Sequence, residues 1–386
     1  MASVAGRYGG VVKVSAEIRF ADRDNAMGDL VEGFEKASVE VDVDQVVASK
    51  FTATINEYRE MTAYKTFFAP FLTVEYLTTD DPLGTGGYMT PVTLREQMGL
   101  YTLLPLNRDF DGGAVTQAVT AYDMMWLLSQ RFLPSNVTLA KGTNAVNYIR
   151  GRLDTMGFRH SIRTSTQTLT TEMTWNNGTS WVSVLNDLLD AIGFYHLAAS
   201  RTGRLESGPY KHISQVEEQT TFSTEYGDIG RKVTLEPDPE YIRNDVIVYG
   251  NTPENTETPI SARATNVDRN SPTSIYALRS DDADEPVYLT LIEDDSSIES
   301  TSVAAARANK LLEERTSMFY RMEIETVPYP GLDMREPIRL EIQNDAGIWI
   351  ANEKWWWDHL TVGFTPDAAA MKLRCNRLLP FEVAES

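Results

Sequence analysis

Apolar and polar residues alternate at every second position near both ends of the chain. That period of two commits most of the sequence to half-buried β-strands. Val12–Phe20 alternates in this way, and Ala37–Asp44 places Val39, Val41 and Val43 on one face. Phe51–Ile55, Phe71–Tyr76 and Gly99–Leu104 follow. Short runs with turn residues between them suggest a small barrel or sandwich. Arg231–Leu235, Asp245–Tyr249, Met322–Val327, Ile338–Ile342, Ile348–Ile350, His359–Phe364 and Ala370–Arg374 are strand-like in the same sense.

The period changes in the middle of the chain. Val115, Val119, Tyr122 and Trp126 recur at helical spacing, in a helix limited by Pro134. A second helix starts after Thr143 as N-cap. It carries Val146, Ile149, Leu153 and Met156 on one face and ends at Gly157. A third starts near Ser180, turns Trp181, Leu185, Leu188, Leu189 and Ile192 inward, and closes at Gly193. Ser161–Met173 between them is Thr-rich and strand-like. A further helix covers Ser302–Ser317, capped by Ser300, Thr301 or Ser302. No repeat of fixed period is visible. The expected fold class is α+β, mainly β.

Charge and composition exclude several functions. The 386 residues include 35 Lys and Arg against 55 Asp and Glu, a net charge of −20. Such a surface opposes tight non-specific binding to nucleic acid, which needs cations to displace counterions, and opposes docking on anionic lipid. Between Glu236 and Ser300 stand 15 acidic and 4 basic residues, more than half of the excess. Burying unpaired charge at that density is costly, so residues 261–300 are expected outside the main fold as a solvent-facing module. Ile275–Leu278 and Val287–Ile292 would form its small sheet against the helix 302–317. The single cysteine, Cys375, excludes a disulfide framework, a Cys-rich zinc site and an iron–sulfur cluster. It reads as a buried structural thiol. His160, His196, His212 and His359 include no i, i+4 pair. Met1–Gly10 lacks the pattern of a secretory leader. No run of about 18 apolar residues could span a membrane.

Candidate chemical motifs are incomplete. Asn107-x-Asp109-x-Asp111-Gly112 matches the first half of a calcium loop, but its twelfth position is Ala118 rather than a carboxylate. Leu83–Gly87 is glycine-rich without the lysine or helix of a phosphate loop. Asp80-Asp81, Asp281-Asp282, Asp284-Glu285 and Glu293-Asp294-Asp295 read as solvated acidic faces rather than glycosidase pairs. No Gly-x-Ser-x-Gly elbow is present. No catalytic, cofactor-binding or metal-binding residue is expected. Trp355-Trp356-Trp357 is the most unusual local feature. Alternation forbids three adjacent strand residues from facing one core, so at least one is expected at an interface, where Trp is enriched. A sugar platform is the alternative use.

Four stretches resemble the tail hub proteins of long-tailed bacteriophages, also called baseplate hub proteins or the N-terminal part of tail-associated lysins. The first is Val119-Thr-Ala-Tyr-Asp123 leading into Met125–Leu128. The second runs from Trp175-x-x-Gly178-Thr-Ser-Trp181 through Leu188-Leu189 and Gly193-Phe194 to Gly203-x-Leu205 and Pro209. The third is Asn244–Gly250. The fourth is Ala304–Arg315, followed by a strand and Pro330-Gly331-Leu332. They span nearly the whole chain in order.

The resemblance implies two barrel-like tube domains, residues 1–110 and the pair 216–260 with 318–386. An α/β insert at 111–215 and a small acidic insert at 261–317 would decorate them. It implies a homotrimeric ring at the distal end of a tail. That ring would join the distal tail protein or tail tube, the tape-measure protein and other tip proteins, and would pass DNA without binding it specifically. Larger relatives continue into lysin or fibre domains, which this chain is not expected to carry. Two other classes stay open on the residues alone: an acidic carbohydrate-active β enzyme, and a carbohydrate-binding module using Trp355–Trp357.

Overall fold

A computed structural model describes residues 8–377 apart from 57–59, 80–88, 106, 112–113, 212–214, 226–227, 238–241, 254–257, 270, 272, 278–284, 296–297, 299, 317–319, 335 and 345–346. The chain opens with β1 (Tyr8–Ala21), β2 (Met27–Leu30), β3 (Phe34–Asp42), β4 (Ser49–Ile55), β5 (Phe67–Thr79), β6 (Met89–Gln97), β7 (Tyr101–Leu103), β8 (Asn107–Asp111) and β9 (Ala114–Tyr122). Then come α1 (Met124–Ser129), β10 (Val137–Leu139), α2 (Ala145–Thr155), β11 (His160–Ile162), β12 (Met173–Trp175), α3 (Trp181–Asp190), β13 (Ala198–Ala199) and β14 (Leu205–Ser207). The remainder is β15 (Thr221–Ser223), β16 (Ile229–Pro237), β17 (Asp245–Tyr249), β18 (Ser261–Thr265), β19 (Thr290–Asp294), α4 (Thr301–Thr316), β20 (Tyr320–Thr326), β21 (Ile338–Gln343), β22 (Trp349–Thr365) and β23 (Ala368–Arg377). The class is α+β, mainly β. Two compact units are present. One holds Met1–Val233, Ile324–Glu353 and Trp357–Arg374; the other holds Thr234–Glu323, Lys354–Trp356 and Cys375–Ser386.

The principal sheet runs β16-β20-β23-β22-β3-β4-β9-β7-β5-β1-β2, with β21 on β22, β15 on β21, β6 on β5 and β8 on β9. Among the described residues it is one open sheet, not the closed barrels suggested by the sequence. The physical reason is one long strand. Trp349-Ile350 of the expected strand Ile348–Ile350, and His359–Phe364, expected as a separate strand, both belong to the 17-residue β22. Its second half pairs antiparallel with β3, His359 opposite Asp42 through Phe364 opposite Ala37. C-terminal strands thereby extend the N-terminal sheet. Alternation is clean where it matters: Phe51, Ala53 and Ile55 on β4 are buried, as are Ile338, Leu340 and Ile342 on β21.

The expected helix through Val115, Val119, Tyr122 and Trp126 is a strand followed by a short helix. Gln117, Val119 and Ala121 are buried at period two, and Gln117–Tyr122 pairs with Lys50–Ile55 on β4. Val and Thr fill this stretch, and β-branched side chains favour a pleated surface. The first helix accordingly begins at Met124, with Asp123 as its N-cap. It stops at Ser129, before Pro134 can limit it.

Within the insert, residues 137–160 and 173–196 are two copies of one unit, offset by 36 residues. Nine of 24 positions are identical, among them Thr138/Thr174, Gly142/Gly178, Asp154/Asp190, Gly157/Gly193, Phe158/Phe194 and His160/His196. Each copy is a strand, a glycine turn, a capped helix and a second glycine. Gly157 and Gly193 sit at φ +72° and +68°, where a Cβ would be strained, and so terminate α2 and α3 alike. The N-caps are Asn144 and Ser180, each accepting the N–H three residues on. Asn144, not Thr143, therefore caps α2. The copies meet about a pseudo-twofold axis: β10 and β12 pair antiparallel with Thr138 opposite its own equivalent Thr174, their hydroxyls 2.9 Å apart. No repeat was legible from period alone, because two divergent copies set no period. Val146, Ile149, Leu153, Leu185, Leu188, Leu189 and Ile192 fill the core between the helices, with Trp181 only partly buried at its margin. Ser161–Met173 is strand only at its ends.

The smaller unit contains the sheet β18-β17-β19. Val246, Val248 and Ala264 pack on Ala304, Ala308, Leu311 and Leu312 of α4. A sheet on this helix was expected, and of its two expected strands Val287–Ile292 is realised in part, as β19, while Ile275 is not in a strand. Ile275 is buried in a turn, and β19 starts only at Thr290. Asp245–Tyr249, assigned by sequence to the second barrel, is the central strand here, so this unit starts near Thr234 rather than at residue 261. Ser300 caps α4, accepting the Val303 N–H at 3.3 Å. Gly250 must lack a side chain, because a Cβ there would stand 2.4 Å from the Ile298 carbonyl oxygen.

Candidate functional site

Asp123 stands where β9 ends and α1 begins. Its extended backbone turns the side chain over the first helical turn, and Oδ1 accepts the Met125 N–H at 2.9 Å. This is an N-cap. Oδ2 accepts the N–H of Ser49, at the start of β4, at 2.8 Å. One carboxyl thus ties the insert's first helix to the sheet. The Tyr101 hydroxyl donates to the Met98 carbonyl at 3.1 Å and lies 2.8 Å from Ser49 Oγ. Burial pushes the Asp123 carboxyl up to about 7, although the backbone N–H groups of Ser49, Met125 and Trp126 work against that rise. Burial raises the Tyr101 hydroxyl too.

A cavity of about 50 Å³ opens beside these groups, lined among others by Ser49, Tyr101, Asp123, Arg201, Asp333 and Trp357. It contains no His, Cys or Lys among its described lining residues. Ser49 is bonded to a tyrosine rather than to a base, so it has no activated-nucleophile geometry. The arrangement does structural work: it holds a helix, a strand and a loop in register.

Asp123 gives a pH signature. A carboxyl whose pKa is raised on folding stabilises most below its unfolded value, about 3.9, and that stability is lost as pH rises through the folded value of about 7. The stability difference between the wild type and Asp123→Asn should therefore shrink by about 2–4 kcal/mol between pH 4 and pH 8. Urea titrations at several pH values measure this, and a pH-independent difference would refute the assignment.

The sequence-nominated residues fall as follows. Trp355 and Trp357 share one face of β22 and are buried; Trp356 points to the other face and is half-buried. The indole N–H groups of Trp355 and Trp357 have no hydrogen-bond acceptor within the described residues. Asn107–Asp111 is an extended strand with Asn107 opposite Ala118, not a loop that could wrap a cation. Leu83–Gly87, Asp80-Asp81, Asp281-Asp282 and Asp284 lie outside the described residues. Glu293 accepts Arg307 Nε at 2.9 Å. Cys375 is buried. His160 and His196 pair with Asp154 and Asp190 at 3.0 and 2.8 Å, equivalent contacts in the two copies of the repeat. Among the described residues no group of three His, Cys, Asp or Glu side chains gathers as a metal site. No helix of the described residues is long and apolar enough to cross a membrane.

Sequence reasoning missed two features. Asp123 before Met124–Leu128 is a readable N-cap signal. The apolar run Ile348-Trp349-Ile350 was read only as a strand, yet all three side chains are exposed beside the turn between β21 and β22.

No protein-family model matches the chain, and no curated protein matches it by sequence. Solved structures do match in fold. A 43 kDa tail protein of prophage MuSo2 from Shewanella oneidensis is similar over 94% of this chain and 98% of its own, with 12% identity and a TM-score of 0.62. A tail protein from Neisseria meningitidis is similar over 95% and 97%, at 11% identity and TM-score 0.64. The prophage tail protein gp18 of Listeria monocytogenes is similar over 93% and 94%, at 12% identity and TM-score 0.53. The fold is that of phage tail proteins.

Proposed function

We propose that the chain is a structural virion protein forming the trimeric hub at the distal end of a phage tail. The observation that carries this reading is the likeness in fold to prophage tail proteins over 94% and 95% of this chain and 98% and 97% of theirs. In this role the principal sheet builds the ring and joins the tail tube or distal tail protein. The ring also meets the tape-measure protein and the other tip proteins, and it lines the path of DNA. Trp356, half-buried beside its two buried neighbours, is the member of the tryptophan triplet with surface left for a partner.

Charge supports the channel role. A trimer of chains at −20 each carries about −60, and an acidic wall repels phosphates instead of retaining them. The role is structural and not enzymatic: Asp123, Tyr101 and Ser49 hold elements together and have no reacting geometry. Negative-stain images of the purified protein test the reading. Three-lobed rings with a central opening are expected. Particles of monomer size alone, or a peptidoglycan hydrolase activity abolished by changing one or two carboxylates, would overturn it.

A further inference from the structure

The turn between β21 and β22 presents three consecutive large apolar side chains to solvent. Ile348, Trp349 and Ile350 are 62%, 48% and 44% exposed. Two hydrogen bonds tie Ile348 to the end of β21: Asn344 Oδ1 accepts the Ile348 N–H at 2.9 Å, and Asn344 N donates to the Ile348 carbonyl at 2.9 Å. A run of exposed apolar residues at the start of a long strand is a mark of an interaction site. In the same unit, β2 is the terminal strand of the principal sheet, with all four residues exposed. Met27 and Leu30 on it are 39% and 41% exposed.

We infer that the Ile348–Ile350 tip of one copy docks on the β2 edge of the next copy of this chain. Charge argues for a second copy. Like chains of −20 repel wherever their acids face each other, and Gly347–Asn352 carries no charge, so like chains can approach at the tip. Area argues for a ring. The exposed parts of the three tip side chains amount to roughly 300 Å², given that a large aromatic buries about 150–250 Å² in full. That is well short of the about 800 Å² per partner of a stable specific pair. A tip-to-edge contact is heterologous, so each chain both gives and receives one, and a rotation that closes makes a ring. Closure doubles the contact per chain. The inference rests on the trimeric reading above and names the surfaces that make it.

Sedimentation of the wild type and of a triple variant, Ile348→Ser, Trp349→Ser and Ile350→Ser, tests it. The substituted side chains are exposed, so the chain should keep its far-ultraviolet circular dichroism while association weakens about 30-fold or more, as removal of a central Trp anchor does. Oxidation of a chain carrying both Trp349→Cys and Leu30→Cys should give a covalent ladder ending at three chains. Neither single variant should form it; the native Cys375 is buried. A wild type that is monomeric at high concentration overturns the trimeric reading and this inference together. A trimer that survives the triple variant, or that links through Trp349→Cys alone, overturns this inference and leaves the trimer standing.

Discussion

Replacing Asp245 by Ala should destabilise the smaller unit by about 2–4 kcal/mol, because it strips a fully buried carboxylate from a set of charge-assisted hydrogen bonds. The side chain is 0% exposed. Oδ1 accepts Arg263 Nε at 2.7 Å and Thr265 Oγ1 at 2.8 Å; Oδ2 accepts Arg263 Nη2 at 3.0 Å and Thr290 Oγ1 at 2.7 Å. These partners sit on β18 and β19, so one carboxylate on the central strand holds both neighbours. Asn244 continues the pattern, donating to the Val287 carbonyl and accepting the Leu289 N–H. Arg263 is half exposed and can be rehydrated, which keeps the cost below that of a wholly buried pair. Hydrogen exchange across Asp245–Tyr249 and Thr301–Thr316 is the direct measurement. Protection there should fall while Phe51–Ile55 keeps its own.

The same residue carries a pH dependence opposite in sign to that of Asp123. Hydrogen bonds from Arg263, Thr290 and Thr265, with the guanidinium charge, outweigh burial and hold the Asp245 carboxyl below its usual range. Its stabilisation is present above the unfolded value of about 3.9 and is lost as pH falls through the folded value. Acid should therefore open the smaller unit while protonation of Asp123 still favours the larger one. A single cooperative acid transition, with both units opening together, would contradict this assignment.

Leu188→Ala should cost about 2–5 kcal/mol, the range for a well-packed core leucine that leaves a cavity behind. Leu188 is 0% exposed in the core shared by α1, α2 and α3. Its counterpart in the first copy of the repeat is Arg152, whose guanidinium lies 5.0 Å from the Tyr148 ring and 5.5 Å from the Trp181 ring. The two copies are therefore not interchangeable, and Arg152→Ala should cost much less than Leu188→Ala. Thermal denaturation of both variants makes the comparison; equal shifts would show that the buried face of α3 is misassigned.

Local chemistry was legible from the sequence wherever one short segment decides its own state. The α2, α3 and α4 helices, the glycines that end the first two, and the strands Asp245–Tyr249 and Phe51–Ile55 follow from periodicity, capping and β-branching, all read within a dozen residues. Cys375 on a strand belongs to the same class. Long-range partnership was decided only by the tertiary structure. Val115–Tyr122 fits helical and strand periods alike, and the free edge of β4 makes it a strand. Asp245–Tyr249 has the composition of any buried strand, and its placement at the centre of the smaller unit depends on Arg263, Thr265 and Thr290 arriving from 18 to 45 residues away. The pseudo-twofold pairing of Thr138 with Thr174 and the exposure of Ile348–Ile350 are of this kind too. Alternation specifies which side chains share a face, but not which surface that face meets or whether any surface meets it, because hydrophobic burial is non-directional and ladder hydrogen bonds look alike in every strand.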